Sequence, residues 1–116
     1  MKVYIAGAYT ASSARQRLQN TANAIDAGIA VWNKGHYPYI PHLTHFVDAR
    51  AKRRGILMRW RDYMIWDKVW LQLCDAFLML NNSRGVSVEA GAAKRLGLQI
   101  FRSLAEIPNA GPHPSR

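Results

Sequence analysis

Two carboxylates in this sequence stand where apolar side chains are expected. Glu89 lies in the stretch Ser83-Arg84-Gly85-Val86-Ser87-Val88-Glu89-Ala90-Gly91-Ala92-Ala93. At about 100° per residue, a helix from Gly85 to Gly97 collects Val86, Val88, Ala92, Ala93 and Leu96 on one arc, with Ser87, Gly91 and Lys94 opposite. Glu89 falls inside the apolar arc. An ionised carboxylate facing a core is costly unless it is paired, hydrogen-bonded or open to a cavity. A helix starting a residue or two away would instead put Glu89 at the edge of the stripe, beside a Lys or Arg. Asp67 repeats the pattern. In a helix over Trp60 to Cys74 its neighbours at spacings of three and four are Tyr63, Met64, Trp70 and Leu71, while Arg61, Lys68 and Gln72 carry the polar flank. Two inward carboxylates on two helices point to one shared site. Paired carboxylates in a partly dry pocket suit glycosidic-bond chemistry, one as nucleophile and the other as acid or proton holder.

The elements that must position them alternate. Lys2 to Ala6 reads as a buried first strand ending at Gly7. After the small, hydroxyl-rich loop Ala8 to Ser13, Ser12 or Ser13 caps a helix running to about Lys34 on Leu18, Ala22, Ile25, Ile29 and Trp32, and Gly35 stops it. His36 to Ile40 reads as a second strand weakened by Pro38. Pro41 to Phe46 and the basic run after it read as loop, up to the helix of Asp67. Cys74 to Leu80 is the third strand, Asn81-Asn82-Ser83 turns into the helix of Glu89, and Leu98 to Phe101 is the fourth. Ser103 to Ile107 reads as a last helical turn. Strand alternating with helix predicts an α/β fold, a three-layer, doubly wound parallel sheet of flavodoxin or Rossmann type with four to five strands. We expect one domain over residues 1–107 and a mobile tail over 108–116, which holds three prolines and Gly111.

Composition narrows the function classes. The 116 residues fit one domain, and 49% hydrophobic content excludes general disorder. No apolar run approaches the roughly 20 residues that cross a bilayer, and the start predicts no signal peptide. We expect a cytoplasmic protein, in keeping with a single cysteine, Cys74, which reads as a core filler. A formal charge of +9 points to an anionic partner. Much of it sits in Arg50, Lys52, Arg53, Arg54, Arg59 and Arg61, either a solvated edge, a rim that attracts phosphates, or a nucleic-acid contact. His42 and His45 could chelate a metal together, but no third ligand is signalled nearby, and we expect neither metal nor cofactor. Dinucleotide and P-loop fingerprints are both missing. The Gly7 loop and the helix entry at Ser83-Arg84-Gly85 are the places left to hold a phosphate.

Taken together, Tyr4-Ile5-Ala6-Gly7 on the first strand, Asp67 eight residues before Asp75, and Ser83 to Gly91 resemble the nucleoside 2-deoxyribosyltransferase superfamily. That superfamily includes the 2′-deoxynucleoside 5′-monophosphate N-glycosidases. The resemblance runs from about Lys2 to Phe101. It implies that Glu89 is the nucleophile that holds the sugar as an ester, that Asp67 hydrogen-bonds the departing base and helps to protonate it, and that Tyr4 orients Glu89. We expect substrate contacts at Gly7, Tyr9, Thr10, Ser83, Arg84 and Gly85. Ser83 matches the serine near the 5′-phosphate in the monophosphate hydrolases, whereas Ala8 and Thr10 replace a serine and an arginine that those enzymes carry. Tyr9, Trp66 and Trp70 are candidates to stack on a base. The expected partners are a small nucleoside or nucleotide and further copies of the chain. A non-catalytic nucleotide or nucleic-acid binding module using residues 50–61 is the alternative.

Overall fold

The computed structural model describes residues 1–114. Four strands, β1 (Lys2–Ala6), β2 (Tyr37–Tyr39), β3 (Ala76–Met79) and β4 (Gln99–Phe101), alternate with helices α1 (Ala14–Asn33), α2 (Thr44–Arg53), α3 (Trp60–Leu71) and α4 (Arg84–Arg95). Every pairing is parallel, in the order β2-β1-β3-β4. The chain thus winds outward in both directions from β1 and β3. In such sheets the crevice between the two central strands, at their carboxyl ends, is where sites form.

Alternation along the central strands explains the layers. Val3 and Ile5 of β1 face one side together with Ala76 and Leu78 of β3, and are covered by Ala24, Ala27 and Val31 of α1. Tyr4 and Ala6 face the other side with Phe77 and Met79, and are covered by Leu71 of α3 and Val86, Ala90 and Ala93 of α4. Because side chains alternate with a period of two, Tyr4 must lie on the face that α3 and α4 cover. All three residues singled out for chemistry therefore share a layer.

The expected elements are present with trimmed ends. Ser13 caps α1 by accepting the Gln16 N–H at 3.1 Å, and Gly35 follows the helix at φ 92°. Pro38 is tolerated because β2 is an edge strand, where a missing ladder donor is cheapest. Two expectations need correction. The stretch from Pro41 is a 3-10 turn followed by α2, not a loop. Of α2 only Ala51 is buried, so the helix has no apolar stripe to betray it; an Asp48–Lys52 pair at 2.9 Å spans one turn of it. The segment from Pro108, expected to be mobile, docks under the end of α1. The Pro108 carbonyl meets His36 Nε2 at 2.7 Å, the Ala110 N–H donates to the Lys34 carbonyl at 2.7 Å, and the His113 ring stacks on Trp32 at 3.6 Å. Ser115 and Arg116, the last residues of that expected tail, lie outside the described residues.

Candidate active site

Tyr4 connects the core to the site. Its ring lies between Phe77 and Tyr39, with centroids at 5.6 and 5.5 Å, and is 1% exposed. The rings fix where the hydroxyl goes. It donates to Glu89 Oε2 at 2.8 Å, so the carboxylate that the helical arc placed inward is anchored by a buried donor. Burial pushes the Glu89 carboxyl above its ordinary value, and the Tyr4 bond offsets part of that. Tyr4 in turn is held protonated, first by burial and then by the negative charge that Glu89 and Asp67 can carry. It therefore acts as a fixed hydrogen-bond donor and takes no part in proton exchange near neutrality.

Asp67 projects from the buried face of α3 and is 8% exposed. The Tyr39 hydroxyl donates to its Oδ1 at 3.2 Å. Burial chiefly, with a further push from the Glu89 charge, raises the Asp67 carboxyl to about 7, although the Tyr39 bond pulls it down. The Glu89 charge thus reaches Asp67, and Tyr4 senses both acids. One carboxyl holding its proton near neutral pH beside a second one is the arrangement that lets an acid and a nucleophile coexist.

Tyr39 was not among the residues singled out from the sequence, where it reads only as part of a short strand. Its ring is stacked between Tyr4 and Trp70, at 5.5 and 5.8 Å, which aims its hydroxyl at Asp67. Replacing Tyr39 with phenylalanine removes a bond that favours the charged carboxylate. Any activity that depends on the protonated acid should then persist to higher pH, by about half a unit to one unit, as read from a pH–rate profile.

The residues expected to bind substrate are distributed over two loops. Ser83 caps α4, its Oγ accepting the Val86 N–H at 3.3 Å, which leaves its own O–H free to donate. Arg84 and Gly85 form the exposed first turn, where unpaired N–H groups and the helix dipole favour an anion. A Cβ on Gly85 would meet nothing within 4 Å, so the glycine leaves that approach open. Across the crevice, Gly7 packs closely on Leu80, and an added Cβ there would lie 3.0 Å from it. Thr10 is exposed. Tyr9 is half-buried, and its hydroxyl meets His45 Nδ1 at 2.8 Å.

His42 and His45 are engaged separately. His42 is 5% exposed and its Nε2 lies 3.2 Å from the Ala8 carbonyl, so it fastens the 3-10 turn to the loop after β1. No group of three or more His, Cys, Asp or Glu side chains suited to a metal occurs among the described residues. Trp66 and Trp70 are 38% and 47% exposed, so neither is core. Cys74 is half-buried, donates to the Trp70 carbonyl at 3.4 Å, and has its thiol pushed up to about 11 by burial, which suits packing better than nucleophilic attack.

A cavity of about 250 Å³ opens beside the carboxyl ends of β3 and β4, between Met79, Asn81, Asn82 and Arg102. A wider hollow of about 510 Å³ lies between the end of α1 and residues 109–113, and neither Glu89 nor Asp67 lines either one. No curated protein and no solved structure matches the chain. Residues 1–102 match the family described as domain of unknown function DUF4406, and the protein belongs to that family.

Proposed function

We propose that this protein cleaves or transfers the N-glycosidic bond of 2′-deoxynucleosides or their 5′-monophosphates through a covalent glycosyl–Glu89 intermediate. The observation that carries the reading is the Tyr4–Glu89 hydrogen bond beside a second buried acid, Asp67, whose proton is retained to about pH 7. In the first step a Glu89 oxygen forms a bond to the anomeric carbon as the bond from that carbon to the base nitrogen breaks. The bonding pair leaves with the base, which takes the proton held by Asp67. Positive charge that develops on the sugar ring is met by the Glu89 carboxylate. Deoxyribose, lacking an electron-withdrawing 2′-hydroxyl, forms that charge more readily. Water then attacks the anomeric carbon as its bond to the Glu89 oxygen breaks, the bonding pair returns to the Glu89 carboxylate, and Asp67 takes up the water proton; a second base in place of water gives transfer.

The start of α4 supports a 5′-phosphate at Ser83, Arg84 and Gly85, with Gly7, Tyr9 and Thr10 as the opposite wall. Incubation with a panel of deoxynucleosides and deoxynucleoside monophosphates, followed by chromatography of free base, tests the proposal. Release of base supports it, and no release from any member of the panel contradicts it.

Self-association belongs to the same proposal. Ile65 and Val69 of α3 and Leu73 just past its end follow one another at spacings of four and are 57%, 52% and 55% exposed, and Val88 of α4 and Leu96 at its C-terminal cap are 65% and 46% exposed. Such a stripe fits a second copy of the chain, and light scattering should report at least a dimer. No helix among the described residues is long and apolar enough to cross a membrane. A cytoplasmic location fits the nucleotide substrates proposed.

A further inference from the structure

The basic run between α2 and α3 has no part in the proposed chemistry, yet an aromatic residue stands within it. Trp60 opens α3 and is 73% exposed. It is seven residues from Asp67, so the two share a helix face, about 10 Å apart along the axis. A helix that feeds a strand of a parallel sheet runs back along it, which puts the first turn of α3 at the sheet's carboxyl edge. Trp60 therefore stands at the mouth of the crevice, above Asp67 and away from the Ile65–Val69–Leu73 stripe on the opposite side of the helix.

Cations flank it along the chain. Arg59 and Arg61 are its neighbours, and Arg50, Arg53 and Arg54 close α2 a few residues earlier, all exposed. Nearby acids are already engaged: Asp48 pairs with Lys52 and accepts from Tyr63, and Asp62 accepts the Arg59 backbone N–H. None of the five arginines makes an ion pair among the described residues. Leu57, also 73% exposed, adds an apolar surface in the same connection. An indole face among unpaired guanidinium groups matches a polyanion that exposes flat rings. A second copy would bring its own five arginines against these. A duplex would offer phosphates but hide its base faces. An anionic membrane would call for a longer apolar face beside the cations than Ile56, Leu57 and Trp60 provide, and the apolar stripe of α3 faces away from Trp60.

We infer that the corner between α2 and α3 is a docking surface for single-stranded nucleic acid, with Trp60 stacking on a base and Arg50, Arg53, Arg54, Arg59 and Arg61 facing phosphates. Docking breaks no bond, so it stands whether or not Glu89 reacts. The test is fluorescence anisotropy of a labelled mixed-sequence DNA single strand across a salt series. It uses the full chain, Trp60→Ala and the double variant Arg53→Gln/Arg54→Gln, with circular dichroism as the check on folding. The same-sequence duplex and phosphatidylcholine–phosphatidylserine vesicles are competitors. The single strand should bind more tightly than the duplex, and Trp60→Ala should weaken it about tenfold. The double arginine variant should flatten the slope of log affinity against log salt by about 1.4. Salt-independent binding, an unchanged affinity in Trp60→Ala, or preference for the duplex or the vesicles overturns the inference.

Discussion

Replacing Glu89 with alanine should lower base release by at least about a thousandfold while leaving the fold intact, because the loss of a covalent nucleophile acts on that scale. The two effects are separable for a physical reason. Glu89 is held by one hydrogen bond from Tyr4, and burial works against its charge, so its removal takes away an unfavourable desolvation along with that bond. Thermal melting should change by only a few degrees. Glu89→Gln is the closer control, since the amide keeps an acceptor for Tyr4 but is not a competent nucleophile. Chromatographic rates for both variants check the prediction, and base release at the wild-type rate in either would remove Glu89 from the mechanism.

The second large effect belongs to Asp67. Asp67→Asn keeps the shape and an acceptor for Tyr39 but has no proton to give a departing base, and general-acid contributions are about 10²- to 10⁴-fold. In the wild type the same proton sets a pH limit: activity should decline as pH rises through about 7, where Asp67 ionises. The stability consequence has a definite sign. The Asp67 carboxyl rises from 3.8 to about 7 on folding, so between those values the folded chain binds more protons than the unfolded one. Its contribution to stability is full below about pH 4 and is lost as pH rises through about 7. Asp67→Asn removes that titration. The variant should therefore melt higher than the wild type at pH 8, by roughly 5 °C, with the difference shrinking or reversing at pH 4. Melting curves at the two pH values check this, and a wild-type melting temperature that rises from pH 5 to pH 8 relative to the variant would contradict it.

Much of this arrangement was legible in the chain because carboxylates and tyrosines break patterns that are otherwise regular. Glu89 and Asp67 stood out against apolar helical arcs, and Tyr4 stood out through the resemblance carried by Tyr4-Ile5-Ala6-Gly7, whereas its face of the sheet is set by the strand pairing. The parallel sheet followed from alternating strand and helix signals punctuated by Gly35 and Gly97, both of which adopt positive φ. What escaped had no such signature. Helix α2 buries one residue, so no hydrophobic period announces it. Tyr39 matters through stacking on Tyr4 and Trp70, contacts between residues 31 to 35 positions apart that no local spacing encodes. The docking of residues 108–113 depends on His36, Lys34 and Trp32, again far away in sequence. Proline and glycine content reports a poor helix former, not a segment without partners. The exposure of Trp60 was hidden for the opposite reason: its helical position matches that of buried Asp67, yet it opens the helix and is 73% exposed.

Direct detection of the sugar on Glu89 tests the central claim. Acid quenching of the protein during turnover of a deoxynucleoside or its monophosphate, followed by proteolysis and mass spectrometry, should find one deoxyribosyl or phosphodeoxyribosyl unit on the peptide containing Glu89, and none on that peptide from Glu89→Gln. Free base accumulating with the unit on another residue, or with no adduct at any quench time, would contradict the account.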